Sequence, residues 1–162
     1  MSFKSRFVPN QRYKQGYFIP NNLNKYKFEK GENSIIYRSS WELKFLKYCD
    51  ESEHILKYNS EGLKIPYLNP FTQRISNYYP DFIVTYRTVS GNIKTAIVEL
   101  KPFKETQKPT KPKRLTDKAF KNYIYNQETY IKNVAKWLSC KEYCKNNNID
   151  FFIITEKTSN FF

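Results

Sequence analysis

Asp81, Glu99 and Lys101 are charged residues set into apolar, β-rich surroundings. Asp81 follows Pro80 and begins the run Asp81-Phe82-Ile83-Val84-Thr85-Tyr86, and Glu99 follows Ala96-Ile97-Val98. Lys101 lies two residues past Glu99, so in an extended chain both side chains leave the same face. Two carboxylates and an ammonium on one sheet face suit a divalent metal and a phosphodiester. Mg²⁺ takes hard oxygen ligands, commonly one or two carboxylates plus substrate phosphate and water. A neighbouring lysine orients the attacking water or neutralises developing charge. A Glu-x-Lys tripeptide alone is an ordinary exposed ion pair. The Pro80-Asp81 step one hairpin earlier is what turns it into a site candidate.

The elements that must position these residues are legible around them. Ser90-Gly91-Asn92 is a turn signal between the Asp81 strand and a second β-rich run from Ile93 to Leu100. Antiparallel pairing across that turn brings Asp81 towards Glu99. Upstream, Ser39 and Glu42 form an S-x-x-E capping box that opens a helix with an apolar stripe of Trp41, Phe45, Tyr48 and Cys49. Spacing gives Glu42 the role of a cap; a third carboxylate for the site is the competing role, because a carboxylate holding a cap is not free to turn inward. Short strands are expected at Ile55 to Asn59 and Leu63 to Tyr67, with a third, from Ile75 to Tyr79, leading into Asp81. Glu61 lies in the turn between the first two and is a weaker acidic candidate.

Downstream, residues 101–114 carry three prolines and six basic residues and predict an extended loop. Its cations Lys104, Lys108, Lys111, Lys113 and Arg114 adjoin the site and are candidates to track phosphates. Thr116 can cap a long helix, on which Phe120, Ile124, Ile131, Val134 and Leu138 recur at helical spacing as the expected core face. Gln127 falls on that stripe, and its amide must bond a backbone group or reach the site. Asn146-Asn147-Asn148 ends the helix before an apolar strand from Ile149 to Thr155. Strand, long helix and strand imply a right-handed parallel crossover, and hence a mixed sheet flanked by helices.

The 162 residues fit one domain with a substantial core. With 28 Lys and Arg against 15 Asp and Glu, the net charge of +13 points to a polyanionic partner, most simply nucleic acid. One histidine, His54, and three cysteines without a C-x-x-C pair leave little for a Cys/His zinc site or a Ser-His-Asp triad. Cys140 and Cys144 fall at helical spacing, where core packing is expected rather than a disulfide. No apolar run is long enough to span a membrane and no signal peptide opens the chain, so a soluble protein in a reducing cytoplasm is expected. Residues 1–34 read as a basic, aromatic arm without periodicity that packs on the domain or a partner, or is disordered; residues 35–162 are the domain. The arm carries an echo, Phe7-Val8-Pro9-Asn10 and Phe18-Ile19-Pro20-Asn21.

Pro80-Asp81 with Glu99-Leu100-Lys101 resembles the motif of the PD-(D/E)XK nucleases. More of the chain resembles the head-completion nuclease family of T-even-type tailed bacteriophages, itself similar to transposon-end endonucleases. The features are Tyr37-Arg38-Ser39 with Trp41-Glu42, Ile65-Pro66-Tyr67, Asp81-Phe82, and Glu99-Leu100-Lys101-Pro102 followed by Lys104-Glu105-Thr106-Gln107. Pro109, Lys111-Pro112, Leu115-Thr116, Lys136-Trp137 and Thr155-Glu156 extend it to nearly the whole chain. The resemblance implies a restriction-endonuclease-like α/β core and a Mg²⁺-dependent DNA endonuclease, with Mn²⁺ as a substitute. It makes Asp81, Glu99 and the Leu100 carbonyl metal ligands, Lys101 the catalytic lysine, and Glu42 the helix acid and a further ligand candidate. It also implies a role in completing the DNA-filled head before tail attachment, with portal or neck proteins as partners. The location would be the host cytoplasm during assembly and the virion head or neck. A non-cleaving, DNA-binding portal plug and a transposition or recombination endonuclease are the competing functions.

Overall fold

The structure, a computed structural model, describes residues 14–28, 32–114 and 116–158. The first copy of the arm's echo lies outside them. In chain order the strands are β1 (Gly16–Phe18), β2 (Ile35–Tyr37), β3 (Ile55–Ser60), β4 (Ile65–Leu68), β5 (Ile75–Tyr78), β6 (Phe82–Arg87), β7 (Ile93–Leu100) and β8 (Asp150–Ile154). Helix α1 (Ser40–Glu51) follows β2, and α2 (Asp117–Asn147) joins β7 to β8. The central sheet has the order β3-β6-β7-β8, antiparallel except for the parallel pair β7–β8. This is the mixed sheet with a parallel crossover that the helical segment between two apolar runs implies.

Alternation along the strands divides the core in two. Phe82, Val84 and Tyr86 of β6, with Ala96, Val98 and Leu100 of β7, pack with Phe45, Leu46 and Cys49 of α1. Ile97 of β7 packs on the other face with Trp137, Cys140 and Cys144 of α2 and with Ile65, Tyr67 and Tyr78 of the β4–β5 ribbon. Residues 96–100 are therefore all buried, as a strand covered on both faces must be. The three cysteines are free, buried thiols.

Local chemistry fixes the element ends. Ser39 Oγ accepts from the Glu42 N–H at 3.1 Å, and Thr116 Oγ1 accepts from the Ala119 N–H at 3.2 Å. Asn148 closes α2 in the left-handed conformation (φ 54°), and the Asn148 and Ile149 N–H groups both return to the Cys144 carbonyl. Gly91 takes φ 86° in the β6–β7 turn, a conformation that favours glycine.

Several expectations change. The second strand lies at Ile65–Leu68 rather than Leu63 to Tyr67, and β4 and β5 form a separate two-stranded ribbon. The segment after Lys101 is not extended throughout: Phe103–Thr106 is a 3₁₀ turn, anchored where the Phe103 N–H donates to Glu156 Oε2 at 2.7 Å. Of the apolar stripe of α2 only Val134 packs on the core. Phe120, Ile124, Ile131 and Leu138 are 48%, 39%, 43% and 60% exposed, and the buried residues are Asn133, Trp137, Cys140 and Cys144. The helix carries two apolar faces, and the sheet presents Ile97 and the ribbon tyrosines to only one. At about 1.5 Å per residue, 31 residues also outrun the five-residue strand that follows.

Part of the arm is built into the domain. β1 pairs antiparallel with β2, and Tyr26 bridges to Tyr58 beside the β3 edge. Asp50, buried near the end of α1, accepts from the Asn21 and Asn22 N–H groups at 2.9 and 3.1 Å. Lys25 Nζ donates to the carbonyls of Asp50 (2.9 Å) and Ser52 (2.7 Å), placing a cation on the carbonyl end of the helix. No helix among the described residues is long and apolar enough to cross a membrane.

Candidate active site

Phe82 pairs with Val98 and Ile83 with Ile97, a register that puts Asp81 across from Glu99 just where β6 begins. Asp81 Oδ2 accepts the Leu100 N–H at 2.8 Å, so its side chain stands in for a ladder partner at the end of the sheet. Its own carbonyl accepts the Glu61 N–H at 3.0 Å, which fixes the backbone on the opposite side. Glu99 shares the side-chain face of Ile97 and so points towards α2. Only 4% of it is exposed, and its two oxygens are held separately. Oε2 accepts from the Tyr78 hydroxyl at 2.5 Å, and Oε1 meets Lys101 Nζ at 3.1 Å.

Burial raises the Asp81 pKa most, and the Glu99 charge raises it further. The Lys101 ammonium and the Leu100 N–H oppose this, Glu42 adds a smaller repulsion, and the result stands at about 7. Burial alone would lower the Lys101 pKa, but the Glu99 and Asp81 charges outweigh it and hold the ammonium above its ordinary value. The site therefore holds a buried carboxyl beside a second carboxylate, and Lys101 does not offset burial and repulsion together. Among the described residues no group of three or more His, Cys, Asp or Glu side chains gathers to hold a metal. The donor set is a carboxylate pair, the number Mg²⁺ commonly takes from a protein when phosphate and water complete its shell.

Glu42 holds a cap and faces the site's field at once. Its Oε1 accepts from Ser39 Oγ at 2.9 Å and its Oε2 from the Arg38 N–H at 2.8 Å, while its charge is among those that raise Asp81. The backbone donor is Arg38 rather than Ser39, one residue earlier than the capping-box pattern implies. Glu61 turns away from the carboxylates to an exposed ion pair with Arg38 at 2.6 Å. Gln127 takes neither expected partner; its Nε2 donates to the Tyr123 hydroxyl one turn back, at 2.5 Å. Lys104, Lys108, Lys111, Lys113 and Arg114 are all exposed on the segment leaving Lys101.

Two residues at the centre were given no role by the sequence. Tyr78 ends a strand three residues before Asp81, and its hydroxyl had no marker among 14 tyrosines. Lys136 sits on α2 with Nζ 5.9 Å from the Tyr67 ring centre and 5.7 Å from that of Tyr78. The Lys136-Trp137 pair, part of the family resemblance, was the available signal.

A family model described as TnsA-like endonuclease N terminal matches residues 52–156. The head completion nuclease of Enterobacteria phage T4 is 33% identical over 141 residues, covering 87% of this chain and 90% of that protein. This chain belongs to the head completion nuclease family. The TnsA-like match spans β3 to the end of β8, and so takes in Asp81, Glu99, Lys101 and Lys136 but not Glu42. The alignment with the phage protein is long enough to carry the likeness beyond the motif to most of the fold.

Proposed function

We propose that the chain is a Mg²⁺-dependent DNA endonuclease with a PD-(D/E)XK core. The observation that carries this reading is the meeting of Asp81, Glu99 and Lys101 at one end of β6 and β7, with Lys101 3.1 Å from Glu99. Asp81, Glu99 and the Leu100 carbonyl are the groups to hold Mg²⁺, or Mn²⁺ in its place. The raised Asp81 pKa fits such a site, because a cation offsets both the burial of the carboxylate, its largest cause, and the repulsion from Glu99. When bound, the ion supplies Lewis-acid stabilisation of phosphoryl charge and a more acidic water.

The chain's own groups do the rest. Lys101, held by Glu99, orients the attacking water and offsets charge as the phosphoryl oxygens become more negative. Tyr78 fixes the Glu99 carboxylate so that Oε1 faces Lys101. Glu42 adds negative charge from the start of α1 while it holds the Arg38 N–H and the Ser39 hydroxyl. Lys104, Lys108, Lys111, Lys113 and Arg114 track the DNA backbone, in keeping with the net charge of +13. The T4 relative's name places that protein in completion of the phage head. For this chain we propose the same step, and the resemblance implies that it falls before tail attachment, beside portal or neck proteins, in the host cytoplasm and then in the virion.

Cleavage of linear duplex, branched and single-stranded DNA tests the reading, with Mg²⁺ and with EDTA. The intact protein should cut at least one of these with Mg²⁺ and none with EDTA. Asp81→Ala and Glu99→Ala should abolish cutting while DNA binding is kept or strengthened, because each removes a negative charge from a phosphate site. Full activity in either variant, or in EDTA, discards the site. DNA binding without any cutting would favour the non-cleaving plug.

A further inference from the structure

Lys136 is a half-buried ammonium on α2, over the ring of the tyrosine that bonds Glu99. Its position is fixed by two buried tyrosines, Tyr67 on β4 and Tyr78 on β5, whose rings it faces at 5.9 and 5.7 Å. Cation–π contact of this kind holds a lysine side chain without neutralising it. Among the described residues Lys136 forms no ion pair. The like charges of Lys132, one helical turn away, and of Lys101 bear on it, and so do the opposite charges of Glu99 and Asp81. A desolvated cation without a counter-ion is costly, so it is expected where an anion arrives later. The groove that reaches Lys136 has a volume of about 480 Å³ and is also lined by Phe71, Tyr125, Lys132 and one acid, Glu128. Phe71 and Tyr125 are 47% and 68% exposed there, which gives the groove aromatic faces as well as charge.

We propose that Lys136 is a further catalytic residue, contributed by α2, that binds a non-bridging oxygen of the scissile phosphodiester alongside Lys101. The proposal rests on the endonuclease reading above. The two lysines then have different work. Lys101 is bonded to Glu99 and serves the water and the carboxylate pair. Lys136 is held by rings and keeps its donors for the phosphate. Negative charge on the phosphoryl oxygens grows towards the transition state, so the contact strengthens as the reaction proceeds and appears in kcat. Tyr78 joins both halves, since one residue holds Glu99 through its hydroxyl and Lys136 through its ring.

The test compares the intact protein with Lys136→Met and Lys136→Arg at saturating DNA and Mg²⁺, alongside DNA affinity in EDTA and thermal melting. Lys136→Met should lose about 100-fold in kcat, the scale for removing one donor to a developing oxyanion. Its DNA affinity should fall less than about tenfold, since other cations keep their phosphates. Its Tm should stay close to that of the intact protein, and Lys136→Arg should recover much of the lost rate by keeping the charge. Parental cutting by Lys136→Met overturns the proposal. A rate loss that comes with a matching loss of Tm, or that Lys136→Arg does not recover, also overturns it and leaves Lys136 as a packing residue. An intact protein that cuts no DNA refutes the endonuclease reading instead.

Discussion

Tyr78 and Glu99 are joined by a 2.5 Å hydrogen bond between a phenol and a carboxylate that are 3% and 4% exposed. Burial and the adjoining negative charge both raise the Tyr78 pKa, so the phenol remains a donor at any working pH. The bond occupies one Glu99 oxygen and leaves the other for Lys101, which sets the rotation of the carboxylate.

Tyr78→Phe keeps the ring and removes that donor. Loss of a hydrogen bond that orients a metal-binding group commonly reduces metal affinity or activity by about 10–100-fold. Cleavage titrated against Mg²⁺ should show a rightward shift or a lower plateau of that size. An unchanged titration would mean Glu99 is oriented without Tyr78.

Asp81→Asn separates function from stability. With the Asp81 pKa near 7 in the fold against an ordinary 3.8, the folded state holds a proton that the unfolded chain has released across that window. Stability from this group therefore falls as pH rises from about 4 to 7, and the full penalty stands above 7. In EDTA, Asp81→Asn should raise the Tm at pH 8 by roughly 5 °C or more, on the scale of a few degrees per kcal/mol for a chain this size. The gap should narrow at pH 5, where the folded-state carboxyl is largely protonated. Cutting should be lost at both pH values. A Tm gap independent of pH would show that the carboxyl is not strained in the fold.

Glu42→Gln divides the two tasks of Glu42. Glutamine still accepts the Arg38 N–H and can donate to Ser39 Oγ, so the helix should lose at most about 1 kcal/mol. The negative charge near Asp81 is lost. Cleavage should collapse while the Tm holds. An active but destabilised variant would return Glu42 to capping alone.

Neutralising Lys108, Lys111, Lys113 and Arg114 together tests the basic segment. Each lost duplex phosphate contact lowers the slope of log affinity against log salt by roughly 0.9. DNA binding measured from low to high salt should therefore weaken and flatten. An unchanged slope would mark the segment as solvated charge that the DNA does not meet.

Much of the site depends on short-range relations that a sequence states directly. A turn of Ser90-Gly91-Asn92 between two β-rich runs sets an antiparallel register, and the register alone brings Asp81 across from Glu99. The period of two then places Lys101 beside Glu99, and Ser39 and Thr116 mark their helix starts by the backbone donors they satisfy. The rest required distant segments to meet. Tyr78 and Lys136 are ordinary in their own stretches and acquire a role only because β5 and α2 pack against β7. Helix α2 carries two apolar faces, and periodicity cannot choose between them; the shape of the sheet and ribbon buries Trp137, Cys140 and Cys144 and leaves Ile131 and Leu138 outside. Asp50 and Lys25 likewise become an anchor only when the arm reaches the end of α1, because a polar group is buried only where the fold supplies its partners.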